Sequence, residues 1–250
     1  MMKDKEERRN WAELPSELTS LILGRLGAVD ILENAQKVCT PWRRVCKDPS
    51  MWKKIDLRDL RNSGMGDLDF DILCRHAVDL SQGGLLEIHI ENITTDRLLT
   101  YIADRSRNLR SLGLRMYYSS GVTKKGLVKA ITKLPLLETL EVSHSLIKLD
   151  LKAIGYSCPQ LRTLNLNSSG LSGLPYFVKR DDDDYALEIV ESMPGLRHHQ
   201  LLGNMLQENK DVTDGNTDGL KSDRRKTDQF LTKLFLSVPV GFSSVNYRRI

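Results

Sequence analysis

The string L-x-x-L-x-L recurs along the middle of the chain, and a recurring unit restricts the fold more than any other feature of the sequence. Its clearest copies are Leu109-Arg-Ser-Leu112-Gly-Leu114, Leu137-Glu-Thr-Leu140-Glu-Val142 and Leu161-Arg-Thr-Leu164-Asn-Leu166. Looser copies run Leu85-Leu-Glu-Ile88-His-Ile90 and Leu196-Arg-His-His199-Gln-Leu201, and Trp52-Lys-Lys-Ile55-Asp-Leu57 fits as an entry strand. The central position falls at 55, 88, 112, 140, 164 and 199, so neighbouring copies lie 33, 24, 28, 24 and 35 residues apart. Pro135, Pro159 and Pro194 precede three copies at one fixed offset, each closing an apolar stretch of helical character: Leu127 to Leu134, Leu151 to Tyr156 and Ala186 to Met193. Proline cannot continue a helix, so the order within a unit is helix, stop, strand. One strand and one helix cannot bury their leucines alone, and such units become stable only when stacked as a solenoid.

The shorter spacings match the period of about 20 to 29 residues found in leucine-rich repeats. Alternate residues of a strand point to opposite faces, so Leu112 and Leu114 go into the solenoid while Gly113 and Arg115 look outward. The same rule turns Asp56, Arg58, His89, Glu91, Glu141, Ser143, Asn165, Asn167, His198 and Gln200 outward. Among them His89, Glu91, Arg115, Glu141 and Asn165 have the longest polar reach and form the candidate surface for a protein partner of mixed polar and charged character. His199 takes a position that is apolar in the five other copies. Burying an imidazole without a partner costs about 1 to 3 kcal/mol, so the last repeat is expected to be loose. From 203 to 250 the pattern stops: a polar run from Asp211 to Gly219, the basic Arg224-Arg225-Lys226 and a single apolar cluster, Phe230 to Val240, predict an irregular and mobile tail.

Helix punctuation dominates the first sixty residues. Leu14-Pro15 opens a segment with Leu18, Leu21, Ile22 and Leu26 at helical spacing, and Gly27 closes it. Asp30, three residues before Glu33, has the form of a capping box, with Ile31, Leu32, Ala35, Val38 and Cys39 on one face of the helix that follows. Thr40-Pro41 breaks that helix, and Thr40 reads as the cap of a third that carries Trp42, Val45 and Cys46 inward and ends near Asp48-Pro49. Trp42 and Trp52 are the largest apolar groups of this region.

The succession Leu14-Pro15-x-Glu17-Leu18-x-x-x-Ile22-Leu23-x-x-Leu26, Asp30-Ile31-Leu32, Val38-Cys39-x-x-Trp42-Arg43 and Asp48-Pro49-x-x-Trp52 closely resembles an F-box. The repeats beyond it, with the acidic insert Asp181 to Asp184 and the Met193-Pro-Gly-Leu-Arg197 strand entry, are similar to those of plant F-box/leucine-rich-repeat proteins. The resemblance implies an α+β fold: a three-helix F-box over 10–57, a connecting segment or first repeat over 58–84, a short α/β leucine-rich-repeat solenoid over 85–202, and the tail over 203–250. It implies a noncatalytic substrate adaptor of a Skp-cullin-F-box ubiquitin ligase. The F-box would dock on the Skp adaptor, and through it on cullin, while the repeats hold an unknown protein substrate. It also implies that Leu14, Pro15, Leu18, Ile22, Leu26, Val38, Cys39 and Trp42 supply the adaptor-binding patch, although some of them must instead fill the small core. Proteins of this kind usually continue with further repeats where this chain turns polar after Asn204, so the far end of the solenoid is expected to lack a cap.

Other chemistries find little support in the residues. No H-E-x-x-H, G-x-S-x-G, P-loop or Rossmann string occurs, so neither a catalytic site nor a cofactor is expected. Asp181 to Asp184 are consecutive acids without spaced ligands and read as a solvated loop ahead of a helix rather than a cation site. His198 and His199 are adjacent on a strand and point to opposite faces, so no metal is expected there either. Cys39, Cys46, Cys74 and Cys158 make no C-x-x-C pair and suit a reducing compartment, cytoplasmic or nuclear. No apolar run of about 18 residues predicts a membrane span. The 37 Lys and Arg are interspersed with 33 Asp and Glu, so a dedicated nucleic-acid surface is not indicated. Two rivals are a repeat protein that binds or inhibits a partner without ubiquitin transfer, and an RNA-associated binder using Arg58, Arg115 and the basic tail.

Overall fold

A computed structural model of the chain describes residues 11–58, 67–91, 95–116, 121–145, 147, 149–167 and 182–202. A single 3-10 turn, Trp11–Glu13, leads into α1 (Ser16–Leu23). α2 (Ala28–Asp30) continues through a π-helical turn, Ile31–Ala35, into α3 (Gln36–Val38). α4 (Thr40–Cys46) and a 3-10 turn, Pro49–Trp52, then deliver the chain to β1 (Lys54–Leu57). Two boundaries differ from expectation. The second helix starts at Ala28, because extended Gly27 ends the preceding loop there, and Asp30 is already helical instead of capping. α4 begins at Thr40 with extended Cys39 before it, which puts Pro41 in the first turn, where its missing N–H costs nothing.

Each further repeat adds a helix and a strand. α5 (Asp67–Leu80) leads to β2 (Glu87–Glu91), α6 (Asp96–Arg105) to β3 (Ser111–Arg115) and α7 (Lys124–Ile131) to β4 (Thr139–Ser143). α8 (Leu151–Ser157) leads to β5 (Thr163–Asn167) and α9 (Asp182–Ser192) to β6 (His198–Leu202). The six strands pair in parallel in chain order. The register aligns Ile55, Ile88, Leu112, Leu140, Leu164 and His199 in one row, which is the row of central positions defined by the repeat. The first five of these are buried, as are Leu57, Ile90, Leu114, Val142 and Leu166 two residues on, in one apolar core with Leu98, Ile102, Leu127, Ile131, Leu151 and Ile154 of the helices. Each fully buried leucine or isoleucine stabilises by about 1.5 to 3 kcal/mol relative to exposure, so the repeat is held by its own defining residues.

The punctuation is physical. Thr95, Thr123 and Asp150 cap α6, α7 and α8 by accepting from the backbone N–H of Leu98, Gly126 and Ala153 at 3.2, 3.0 and 2.9 Å. Before the strands, Leu134, Cys158 and Met193 each accept through the carbonyl from the N–H of Leu137, Leu161 and Leu196, at 3.1, 3.0 and 3.1 Å. These turns span Pro135, Pro159 and Pro194. The same turn forms at Ser106 and Leu109, 3.0 Å, without a proline. α5 and α6 carry no such signpost in the sequence; α5, within the span 58–84, buries Phe70, Leu73, Cys74, Ala77 and Val78 at helical spacing in the core it shares with the strand that follows. His199 departs from expectation. Its side chain is exposed rather than buried, although neighbouring atoms still withdraw the ring from water enough to lower its pKa. Asp182 to Asp184, expected in a loop ahead of the helix, form the first turn of α9, while Asp181 and the tail from 203 onward lie outside the described residues.

Candidate functional site

α1 is apolar on the face it turns to water. It buries Thr19 and Leu23, with the Thr19 hydroxyl donating to the Pro15 carbonyl at 3.1 Å, and it exposes Leu18, Leu21 and Ile22. The three exposed residues stand at i, i+3 and i+4 and therefore share one side of the helix. Leu26 just beyond α1, Val38 at the end of α3, and Trp11 are exposed as well. Beneath them Ile31, Leu32, Ala35, Val45, Cys46 and Trp52 close the small core, and the Trp52 indole donates to the Cys46 carbonyl at 2.8 Å.

This sorts the residues that periodicity alone leaves undivided. Pro15, Leu18, Ile22, Leu26 and Val38 lie on the surface, whereas Leu14, Cys39 and Trp42 are half-buried. Trp42 packs against the core and its indole donates to the Trp11 carbonyl at 3.3 Å, which fixes the segment ahead of α1. Val38, expected on the buried face with Ile31, Leu32 and Ala35, points out instead. Two exposed groups were missed. Leu21, at 68% exposure, is signalled by its spacing from Leu18, and Trp11, at 58%, by no pattern. Exposed apolar residues that share one helix face, as Leu18, Leu21 and Ile22 do, mark an interaction surface in water.

The second surface is the side of the sheet away from the helices. Across it the row next to the buried one reads Asp56, His89, Gly113, Glu141, Asn165 and Gln200. The His89 ring lies directly on Gly113, where an added Cβ would meet Nδ1 at 2.1 Å, and its Nε2 is 3.1 Å from a Glu87 carboxylate oxygen. Lys54 Nζ stands 2.8 Å from the other Glu87 oxygen and, with the His89 contact, lowers the Glu87 pKa against the opposing effect of desolvation. Asp56 is lowered likewise, chiefly by its hydrogen bond from Arg58. Both carboxylates therefore favour the folded state above their ordinary pKa, near 4, and that contribution is lost as the pH falls further. Glu91, expected outside, is only 6% exposed, because its carboxylate folds under Arg115 Nη1 at 3.3 Å. Asn165 Nδ2 donates to Glu141 Oε1 at 3.0 Å. Of the five residues singled out on this face, Glu91 with Arg115 and Glu141 with Asn165 thus form neighbouring pairs. A cleft of about 460 Å³, lined by Leu26, Met51, Lys54, Asp56, Glu87 and His89 among others, lies where the N-terminal helices meet β1 and β2.

The buried thiols Cys46, Cys74 and Cys158 are poor nucleophiles. Burial pushes Cys74 up to about 12 and Cys158 to about 11, and raises Cys46 as well. Among the described residues no group of three or more His, Cys, Asp and Glu could hold a metal ion, and no described helix is long and apolar enough to cross a membrane.

Comparison with known proteins gives this arrangement a context. A family model described as F-box-like matches residues 11–58, the span of the N-terminal helices and β1. F-box/LRR-repeat protein 21 of Arabidopsis thaliana is 59% identical over 213 residues, covering 80% of this chain and 68% of that protein. F-box/LRR-repeat protein 9 of the same plant is 53% identical over 207 residues, covering 81% and 80%. The chain belongs to the plant F-box/LRR-repeat proteins. A further Arabidopsis F-box protein is 58% identical over 206 residues, and there the match spans 65% of the relative's length. Within this F-box/LRR chain, the exposed apolar face and the exposed sheet face sit on opposite parts of the molecule's sequence: the first within the F-box-like match, the second almost wholly beyond it.

Proposed function

We propose that the chain is the substrate-receptor subunit of a Skp-cullin-F-box ubiquitin ligase. Residues 10–57 dock on the Skp adaptor and through it on cullin; residues 58–84 and 85–202 together form the solenoid that holds a protein substrate, in the cytoplasm or nucleus. One observation carries the reading: α1 buries Thr19 and Leu23 but also exposes Leu18, Leu21 and Ile22 on one face, which leaves a monomer with wet apolar surface and rewards a permanent partner. Leu18, Ile22, Leu26, Val38 and Pro15 supply the contact, and Leu14, Cys39 and Trp42 support it from the half-buried layer. Leu21 and Trp11 extend it.

The role needs no catalytic residue. Holding a substrate beside a charged ubiquitin carrier raises its effective concentration, and a rigid solenoid between two binding faces fixes the geometry. The high pKa of the buried thiols argues against a thioester route through Cys46, Cys74 or Cys158. The family names of the relatives support the assignment at the level of the F-box and the repeats. In co-expression with the Skp adaptor, the wild-type chain should co-purify with it, and Leu18→Glu/Ile22→Glu should reduce the yield at least tenfold while leaving the melting temperature unchanged, since neither side chain is in the core. Wild-type recovery by the double variant would overturn the docking face; failure of the wild type to co-purify would favour a repeat protein that acts without ubiquitin transfer.

A further inference from the structure

The exposed side of the sheet carries four carboxylates among its described residues, and three are closed by cations of the sheet itself. Arg58 Nε donates to Asp56 at 2.9 Å, Lys54 stands 2.8 Å from Glu87, and Arg115 stands 3.3 Å from Glu91. The fourth, Glu141 on β4, meets only an amide, Asn165 Nδ2 at 3.0 Å on Oε1. It is half-buried, and the residues level with it on the two neighbouring strands are Gly113 and Asn165, neither of which can neutralise it. Ahead of it and behind it along β4 are Ser143 and Thr139, with Thr163 beside the latter on β5.

We propose that Glu141 receives a lysine or arginine of the substrate, so that the segment recognised across β4 and β5 is a basic one. This rests on the receptor reading above and specifies its substrate class. A carboxylate partly withdrawn from water attracts a cation more strongly than one at an open surface, and a docked segment would complete the withdrawal. The flanking hydroxyls and amides of Thr139, Ser143, Thr163 and Asn165 suit the polar backbone and side chains around such a cation. On the β3 side the space above Gly113 is filled by the His89 ring, so a long side chain reaches Glu141 from the open face above β4 and β5. An acidic segment or a nucleic-acid phosphate meets the uncompensated charge and is repelled; a greasy segment finds no apolar group in the row.

The test pans a display library of random peptides against the full chain held through its Skp adaptor. The wild type should enrich Lys or Arg at one peptide position about tenfold over the starting library. Glu141→Gln keeps an oxygen for Asn165, and should lose that enrichment with no change in melting temperature; Glu141→Lys should select Asp or Glu at the same position. Selection of the same basic peptides by both variants overturns the proposal, and so does a wild-type selection with no enriched basic position. Adaptor retention is scored in the same preparation. If the chain fails to hold the adaptor, the receptor reading falls, and panning on the free chain still decides the role of Glu141.

Discussion

The Glu91 carboxylate lies under the surface of the sheet with the Arg115 guanidinium 3.3 Å away, so these two residues act on folding as well as on any ligand. Reversing Arg115 would set two carboxylates against each other with one of them buried. Arg115→Glu is expected to lower stability by about 2 kcal/mol, below the value for a deeply buried pair because Arg115 itself is partly in water. Urea unfolding checks this, and an unchanged midpoint would place Arg115 among ordinary surface charges. Strand alternation assigns the direction of Glu91 correctly and its burial wrongly, because direction follows from backbone geometry whereas burial depends on which neighbour folds over it. The thiols give a second test at this scale. With pKa values of about 12 and 11 and full burial, Cys74 and Cys158 should resist iodoacetamide at pH 8 in the native protein, and half-buried Cys39 should react first. Peptide mapping that finds Cys74 modified as fast as Cys39 would contradict the packing of α5.

At the scale of elements, α8 packs directly on α9. A Cβ on Gly155 would stand 2.7 Å from the Ser192 backbone carbonyl and 2.4 Å from its hydroxyl, which donates to the Glu188 carbonyl at 2.6 Å. An exposed helical glycine gains up to about 1 kcal/mol on replacement by alanine, but here the added methyl must push two helices apart. Gly155→Ala should therefore destabilise by about 1 to 3 kcal/mol, measured as a lower melting temperature, and a higher one would mean that α9 yields. The strands of the solenoid were legible because a period of two with leucines at fixed offsets has one reading. So were the helix stops at Pro135, Pro159 and Pro194. α6 was not, since its buried Leu98, Leu99, Ile102 and Ala103 are preceded by a threonine cap in a stretch with no proline or glycine to announce it.

For the molecule as a whole, the repeat predicts the row Ile55, Ile88, Leu112, Leu140 and Leu164, and the sheet register reproduces it residue for residue. The N-terminal face was legible only as a set. Leucine reads the same whether it fills a core or meets a partner, and what separates Leu18 from Leu23 is the crossing of α1 over α4, a tertiary fact. On the proposed function, adaptor and substrate use separate faces, one made by the exposed side of α1 and one by the sheet. Hydrogen exchange of the full chain with and without the Skp adaptor tests it directly. Binding should slow exchange across α1 and the α3 to α4 segment, residues 16–42, and leave β3 to β5, residues 111–167, unchanged. Protection that appears along β3 to β5 while α1 exchanges as in the free chain would contradict it.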